Sequence, residues 1–209
     1  MTMRIPDSKS PRASARGAVA SVGLGALMWL LATSAAQAQP TDAAPAKAAV
    51  CMACHGGADG KTMLPVYPSL NGQTARYLFL ELRDFKAGRR SNPLMSPMAA
   101  DLTSEDMHAL ADWFAKQKPQ VQTYAADQGK ATLGRAKSDE TLCSMCHLGG
   151  LLGQNEIPRL AGQNFDYLVK QLTDFKAHTR TNDGGNMTSV AGTLSADDIQ
   201  NLANYIVGL

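Results

Sequence analysis

The sequence predicts an all-α protein made of two tandem domains of similar fold. Three observations carry this. The two halves repeat each other: Pro68-Ser69-Leu70-Asn71-Gly72-Gln73 matches Pro158-Arg159-Leu160-Ala161-Gly162-Gln163, Tyr77-Leu78 matches Tyr167-Leu168, and Asp84-Phe85-Lys86-Ala87 matches Asp174-Phe175-Lys176-Ala177. Apolar residues recur at helical spacing in both copies, as Leu78/Leu82/Phe85 and Leu168/Leu172/Phe175. No segment shows the strict alternation of a half-buried strand.

Residues 1–38 stand apart from this fold and read as a cleaved signal peptide. Lys9, Arg12 and Arg16 form a basic start, Ala18 to Thr33 is uncharged and largely apolar, and Ala36-Gln37-Ala38 offers a small-x-small cleavage site before Gln39. The apolar run falls short of the ~20 residues of a membrane-spanning helix, which weighs against an uncleaved anchor. The organisation expected after it is a first domain over 39–119, a linker over 120–127 and a second domain over 128–209.

Within each domain, the stretches from Thr74 to Ala87 and from Asn164 to Ala177 are expected helices. Thr103-Ser104-Glu105-Asp106 and Ser195-Ala196-Asp197-Asp198 are capped helix starts, with a hydroxyl at the cap and Asp three residues on. The helices they open end near Lys116 and Val207 and present Leu110/Trp113/Phe114 and Leu202/Tyr205/Ile206. Met95 and Met187 are expected in loops between two helices. Domains of ~80–90 residues are small for an independent core.

Without residues 1–38, which hold four Lys/Arg and one Asp, the formal charge falls from +2 to −1. A basic stripe with interleaved aromatics is lacking, so no nucleic-acid partner is expected.

The chemistry resides in Cys51-Met52-Ala53-Cys54-His55 and Cys143-Ser144-Met145-Cys146-His147, two C-x-x-C-H runs 92 residues apart. Each is the attachment signature of c-type haem. In C-x-x-C the sulfurs lie about one helical turn apart, so both can bond one haem edge, and the following histidine points at the iron. The motifs use all four cysteines. An oxidised dithiol would use the cysteines alone, and for structural zinc the two pairs lie 88 residues apart, far outside the usual spacing of ~12–20 residues. Neither alternative explains a histidine after both pairs. Two covalently bound haem c groups, each filling the core of its domain, are therefore expected.

The repeat also selects the second iron ligand. Met95 follows His55 by 40 residues, and Met187 follows His147 by 40. Only these two of the seven methionines beyond residue 38 occupy equivalent positions: Met98 aligns with Val190, Met107 with Ile199 and Met63 with Asn155. A methionine is more often core filler than a ligand, and the matched pair reverses that expectation. Met98, three residues on, remains the rival in the first half. The same alignment sets aside His108 and His178, which face Gln200 and Gly88. The backbone carbonyls of Pro68 and Pro158 are candidates to accept the ring N–H of His55 and His147. Histidine and methionine on opposite faces fill the iron's coordination and raise its potential, which suits electron transfer.

With these motifs, the Asp-Phe-Lys-Ala segments followed by Arg90 and Arg180, and the Arg-Thr-Asn-Asp-Gly run at 180–184, the chain resembles the dihaem cytochrome c4 family across 41–209. The resemblance implies two class I cytochrome c domains about a pseudo-twofold axis with haem propionates facing each other. It implies thioethers at Cys51, Cys54, Cys143 and Cys146, and iron ligands His55/Met95 and His147/Met187. It implies a periplasmic carrier of single electrons without enzymatic activity, with a quinol–cytochrome c reductase or a dehydrogenase as donor and a haem-copper oxidase as acceptor, and it admits peripheral membrane association. The family's N-terminal helix carries a glycine against the last helix; Gly129 fits this in the second domain, whereas the first has Ala44-Pro45 there.

Two other functions stay open. A dihaem electron-accepting subunit of a dehydrogenase, such as a flavoprotein sulfide dehydrogenase, would look much the same. A dihaem thiosulfate-oxidising or peroxidase-type enzyme would need an open or unusually ligated iron. The cluster Arg83, Lys86, Arg89 and Arg90 reads as a docking patch for an acidic partner, a solvated face, or a propionate clamp.

Overall fold

Helix caps and apolar spacing place the elements that frame each site. The computed structural model describes residues 43–57 and 59–209; the expected signal peptide lies outside them. The first half contains α1 (Ala48–His55), α2 (Ala75–Lys86), α3 (Met95–Ala100) and α4 (Ser104–Lys116). The second contains α5 (Gln128–Glu140), α6 (Cys143–His147), a 3₁₀ turn (Gly149–Leu151), α7 (Phe165–Lys176), α8 (Asn186–Thr193) and α9 (Ala196–Val207). Among the described residues there is no strand, only an isolated bridge between Gln154 and Ile157.

The long helices α2, α4 and α9 start where side-chain caps hold them. Thr74 accepts from Tyr77 N–H at the start of α2. Thr103 with Asp106 and Ser195 with Asp198 form reciprocal capping boxes at α4 and α9. Two apolar clusters result, one per half. Leu78, Phe85, Leu102, Met107, Leu110 and Phe114 form the first. Leu151, Leu168, Leu194, Ile199, Leu202 and Ile206 form the second. The stretch expected as a linker is the extended run between α4 and α5. It is held against the second half: Gln122 Nε2 donates to Gly162 O at 2.6 Å, Tyr124 stacks on Phe165, and Asp127 N–H donates to Asn204 Oδ1.

Two expectations need correction. The methionines do not lie in loops: Met95 opens α3 and Met187 sits in the first turn of α8. These helices are too short to announce themselves by periodicity, and polar side chains hold their starts. Asn92 Oδ1 accepts from Leu94 and Met95 N–H. The Asp183 carboxylate accepts from Gly185 N–H, Thr188 N–H and Thr188 Oγ1–H. The glycine packed on the last helix is Gly134, not Gly129. A Cβ at Gly134 would lie 2.0 Å from Asn201 O in α9, whereas at Gly129 it would meet only Asp127 Oδ1 at 3.2 Å.

Candidate functional site

The hexapeptide repeat determines how each site is framed. Its proline carbonyl turns inward to the histidine of the haem motif: His55 Nδ1 lies 2.9 Å from Pro68 O, and His147 Nδ1 lies 2.8 Å from Pro158 O. The carbonyl can only accept, so Nδ1 carries the proton and Nε2 is left with its lone pair free for a metal. Both histidines are buried, and burial holds their protonation below the ordinary range, so the rings are neutral. The repeat's leucine, Leu70 or Leu160, packs on its core cluster. Its glycine adopts positive φ and donates N–H to the C-terminal end of the last helix, Gly72 to Phe114 O and Gly162 to Ile206 O.

Cys51, Cys54, His55, Met95 and Met98 all border one cavity of about 830 Å³ whose walls include Leu78, Leu82, Phe85 and Phe114. This volume and lining suit a large planar apolar group. Met95 is half-buried and packs on the first core cluster, whereas Met98 is 46% exposed. That favours the aligned methionine over its rival. In the second half His147 is buried, Cys143 packs on the core cluster, Cys146 is exposed and Met187 is half-buried. The four cysteines are unbridged. Among the described residues no group of three or more His, Cys, Asp or Glu side chains gathers as a metal cluster, which leaves the zinc reading without a ligand set. His108 lies outside the site, exposed and stacked on Phe79 at 4.0 Å, and His178 is exposed.

The cavity also reaches a polar cluster between the halves. Arg90 donates to Glu81 Oε2 at 2.7 Å, Gln171 Oε1 at 2.7 Å and Tyr167 OH at 3.2 Å. Arg180 donates to Glu81 Oε1 at 2.6 Å, Gln171 Oε1 at 2.8 Å and Tyr77 OH at 3.1 Å. The guanidiniums lie over Phe85 and Phe175. Two buried arginines share one carboxylate, so the cluster carries a net positive charge. A buried uncompensated charge is costly and calls for an anion. The carboxylates of a haem supply one, so cysteines, histidines, cavity and arginines fit the group together. Arg90 is thus not part of an exposed patch, while Arg83 and Arg89 are half-exposed and pair with Asp84.

The contact between halves is reciprocal. Gln73 bonds the backbone of Arg159, and Gln163 bonds that of Ser69. Beside these bonds Ser69 Oγ, Asn71 Oδ1, Gln120 Oε1 and Arg159 Nε have no hydrogen-bond partner among the described residues. Their residues line a cavity of about 10 Å³, room for one water molecule that would satisfy them. Sequence reasoning did not anticipate this contact; its only signal is the recurrence of glutamine at the end of each hexapeptide.

A family model described as cytochrome C oxidase, cbb3-type, subunit III matches residues 38–114 and 126–206, once per half. The chain is 41% identical over 176 residues to a cytochrome c4 of Pseudomonas aeruginosa, covering 80% of this chain and 87% of that one. It is 33% identical over 201 residues to a thiosulfate dehydrogenase electron acceptor of Thiomonas intermedia, covering 91% and 90%. Its fold is similar to a crystal structure of reduced recombinant cytochrome c4 from Pseudomonas stutzeri, with a TM-score of 0.72, 38% identity and coverage of 78% of this chain and 95% of that one.

Proposed function

Because this chain belongs to the cytochrome c4 family, we propose that it is a periplasmic carrier of single electrons to a terminal oxidase. Two covalently bound haem c groups, when present, supply reversible one-electron iron chemistry. The chain's own residues determine what that chemistry can do. Cys51 and Cys54, and Cys143 and Cys146, tether by thioethers. His55 and Met95 would hold the first iron, and His147 and Met187 the second. Iron held by two side chains would have no open position for a substrate, and the chemistry it would supply is one-electron transfer. Arg90, Arg180, Tyr77 and Tyr167 would hold the haem carboxylates in the polar cluster, and those carboxylates would neutralise its net positive charge.

The observation that carries this reading is the duplicated histidine–methionine constellation, each histidine proton-anchored on a proline carbonyl. The test is the far-red charge-transfer band of a methionine–ferric bond, scaled to total haem. Two methionine-ligated haems per chain are expected. One or none would overturn the carrier reading and put a dihaem oxidoreductase in its place. A mature chain beginning at Gln39 is expected on N-terminal sequencing of exported protein.

The relative named as an electron acceptor of thiosulfate dehydrogenase favours a second reading, in which a dehydrogenase is the donor. Rapid-mixing reduction by a thiosulfate dehydrogenase, compared with a quinol–cytochrome c reductase, separates the two donors.

A further inference from the structure

The two glutamines that end the hexapeptides grip the backbone N–H and C=O of a particular residue of the opposite half. Gln163 Oε1 accepts from Ser69 N–H at 2.8 Å, and its Nε2 donates to Ser69 O at 3.0 Å. Gln73 does the same to Arg159, at 2.6 and 2.8 Å. Each Oε1 also accepts the next N–H of its own chain segment, from Thr74 or Asn164 at 2.9 Å, which fixes the amide's orientation. The N–H groups accepted belong to the peptide units Pro68–Ser69 and Pro158–Arg159. Their carbonyls are the ones that accept from His55 and His147. A continuous path therefore runs from His55 Nδ1–H through the Pro68–Ser69 peptide to Gln163 in the other half, and its mirror runs from His147 to Gln73.

We propose that Gln73 and Gln163 are positioning residues that tune, across the boundary, the reduction potential of the other half's haem. The inference rests on reading His55 and His147 as iron ligands. The peptide unit is conjugated, so accepting its N–H moves electron density onto its carbonyl oxygen. That oxygen then accepts more strongly from the histidine, as hydrogen bonds in a chain polarise one another. A stronger Nδ1–H bond makes the imidazole a better donor to the metal and favours the ferric state. Ser69, Gln73 and Gln163 are all buried, so bulk water does not screen the effect. The residue between proline and leucine takes part only through its backbone, which accounts for serine in one half and arginine in the other.

The test uses the holoprotein with Gln163→Met, which keeps the volume and removes donor and acceptor, and with the mirror variant Gln73→Met. Each haem is followed separately by NMR during a potentiometric titration, together with the Nδ1–H resonances of His55 and His147 in the diamagnetic ferrous protein. Gln163→Met is expected to raise the ferrous-to-ferric ratio of the first-half haem about two- to threefold at fixed potential, the scale of losing one cooperative bond. The His55 Nδ1–H resonance should move upfield, and the second-half haem should change less. Gln73→Met should act on the second-half haem and His147. Should Gln163→Met fail to retain both haems, Gln163→Glu keeps the acceptor and should lower the first-half ratio. Shifts confined to the variant's own half, or absent from both, overturn the proposal. If the unmutated protein lacks the ring-current shifts of two axial imidazoles, the ligand reading itself falls, an outcome distinct from unshifted potentials with both imidazoles in place.

Discussion

Gly134→Ala is the sharpest test of how the second site is framed. In an ordinary helix interior this substitution stabilises by about 1 kcal/mol, because alanine restricts the unfolded chain. Here the added Cβ falls 2.0 Å from Asn201 O, 2.4 Å from Asn201 C and 2.9 Å from Leu202 N, all backbone atoms of α9. Non-bonded carbon contacts sit at about 3.5–4.0 Å, so α5 must retreat from α9 by more than an ångström at this point. Overpacking costs about 1–3 kcal/mol, and backbone cannot rotate aside as a side chain can, so the upper end applies. The retreat also loosens α9, which supplies Ile199, Leu202 and Ile206 to the second core. Set against the propensity gain, the net loss is about 2 kcal/mol, or about 8–16 °C for a domain of this size. Thermal unfolding of the holoprotein by circular dichroism checks it. Gly129→Ala, in the same helix but with no backbone of α9 opposite it, is the control and should not share the loss. A Gly134→Ala protein that melts at or above the unmutated temperature would refute the packing argument.

Other perturbations have equally definite outcomes. Leu148→Gly should stabilise by about 1–2 kcal/mol, because Leu148 holds φ 62°, ψ 171°, a region open essentially to glycine alone, at the position that Gly56 fills in the first half; chemical denaturation reads the gain, and a loss would show that the leucine side chain outweighs the strain. Glu81→Gln leaves Arg90 and Arg180 without their shared carboxylate, so stability should fall by about 3 kcal/mol and both haems should become easier to reduce; potentials that fall instead would contradict the sign. Acid should unfold the protein through Asp84 and Asp183. Burial pushes both carboxyls up, but hydrogen bonds from Asn182, Arg89 and Arg83 to Asp84, and from Thr188 and Gly185 to Asp183, outweigh it and hold both below the usual carboxylate range. Their contribution is therefore complete above about pH 4 and lost as pH falls through the lower folded-state values, so the denaturation midpoint should be flat near neutrality and drop below pH 4.

The long helices and the histidines' anchorage were legible because local chemistry specifies them. Thr103 and Ser195 cap helices where expected, and the carbonyls of Pro68 and Pro158 accept from the histidines. What escaped sequence reading depends on three-dimensional contact. Helices of six and eight residues at Met95 and Met187 lie below the length that helical propensity sustains, and Asn92 and Asp183 hold them through bonds that leave no periodic trace. Gly134 and Gly129 look alike along the chain and differ only in what α9 places opposite them. The run of cations around Arg90 leaves a docking patch, a solvated face and a propionate clamp equally open, and only the burial of its guanidinium against Glu81 separates them.

The boundary between the halves is polar because of what it has to hold. Each half is too small to bury much apolar surface by itself, and its core is completed by a large apolar group with two carboxylates. Those carboxylates need buried cations, and buried cations need acceptors on every remaining N–H. Glu81, Gln171, Tyr77 and Tyr167 meet that need only by contributions from both halves, since Arg90 bonds Tyr167 and Gln171 while Arg180 bonds Tyr77 and Glu81. The glutamine braces obey the same logic at the histidine end. A polar network of this kind tolerates one relative placement, because sliding the halves by a single bond length would leave several buried groups unpaired at once. Duplication thus does more than double the number of sites. It makes each domain part of the other's site, so that the distance and orientation between two electron-carrying centres are set by hydrogen bonds that neither domain could form alone.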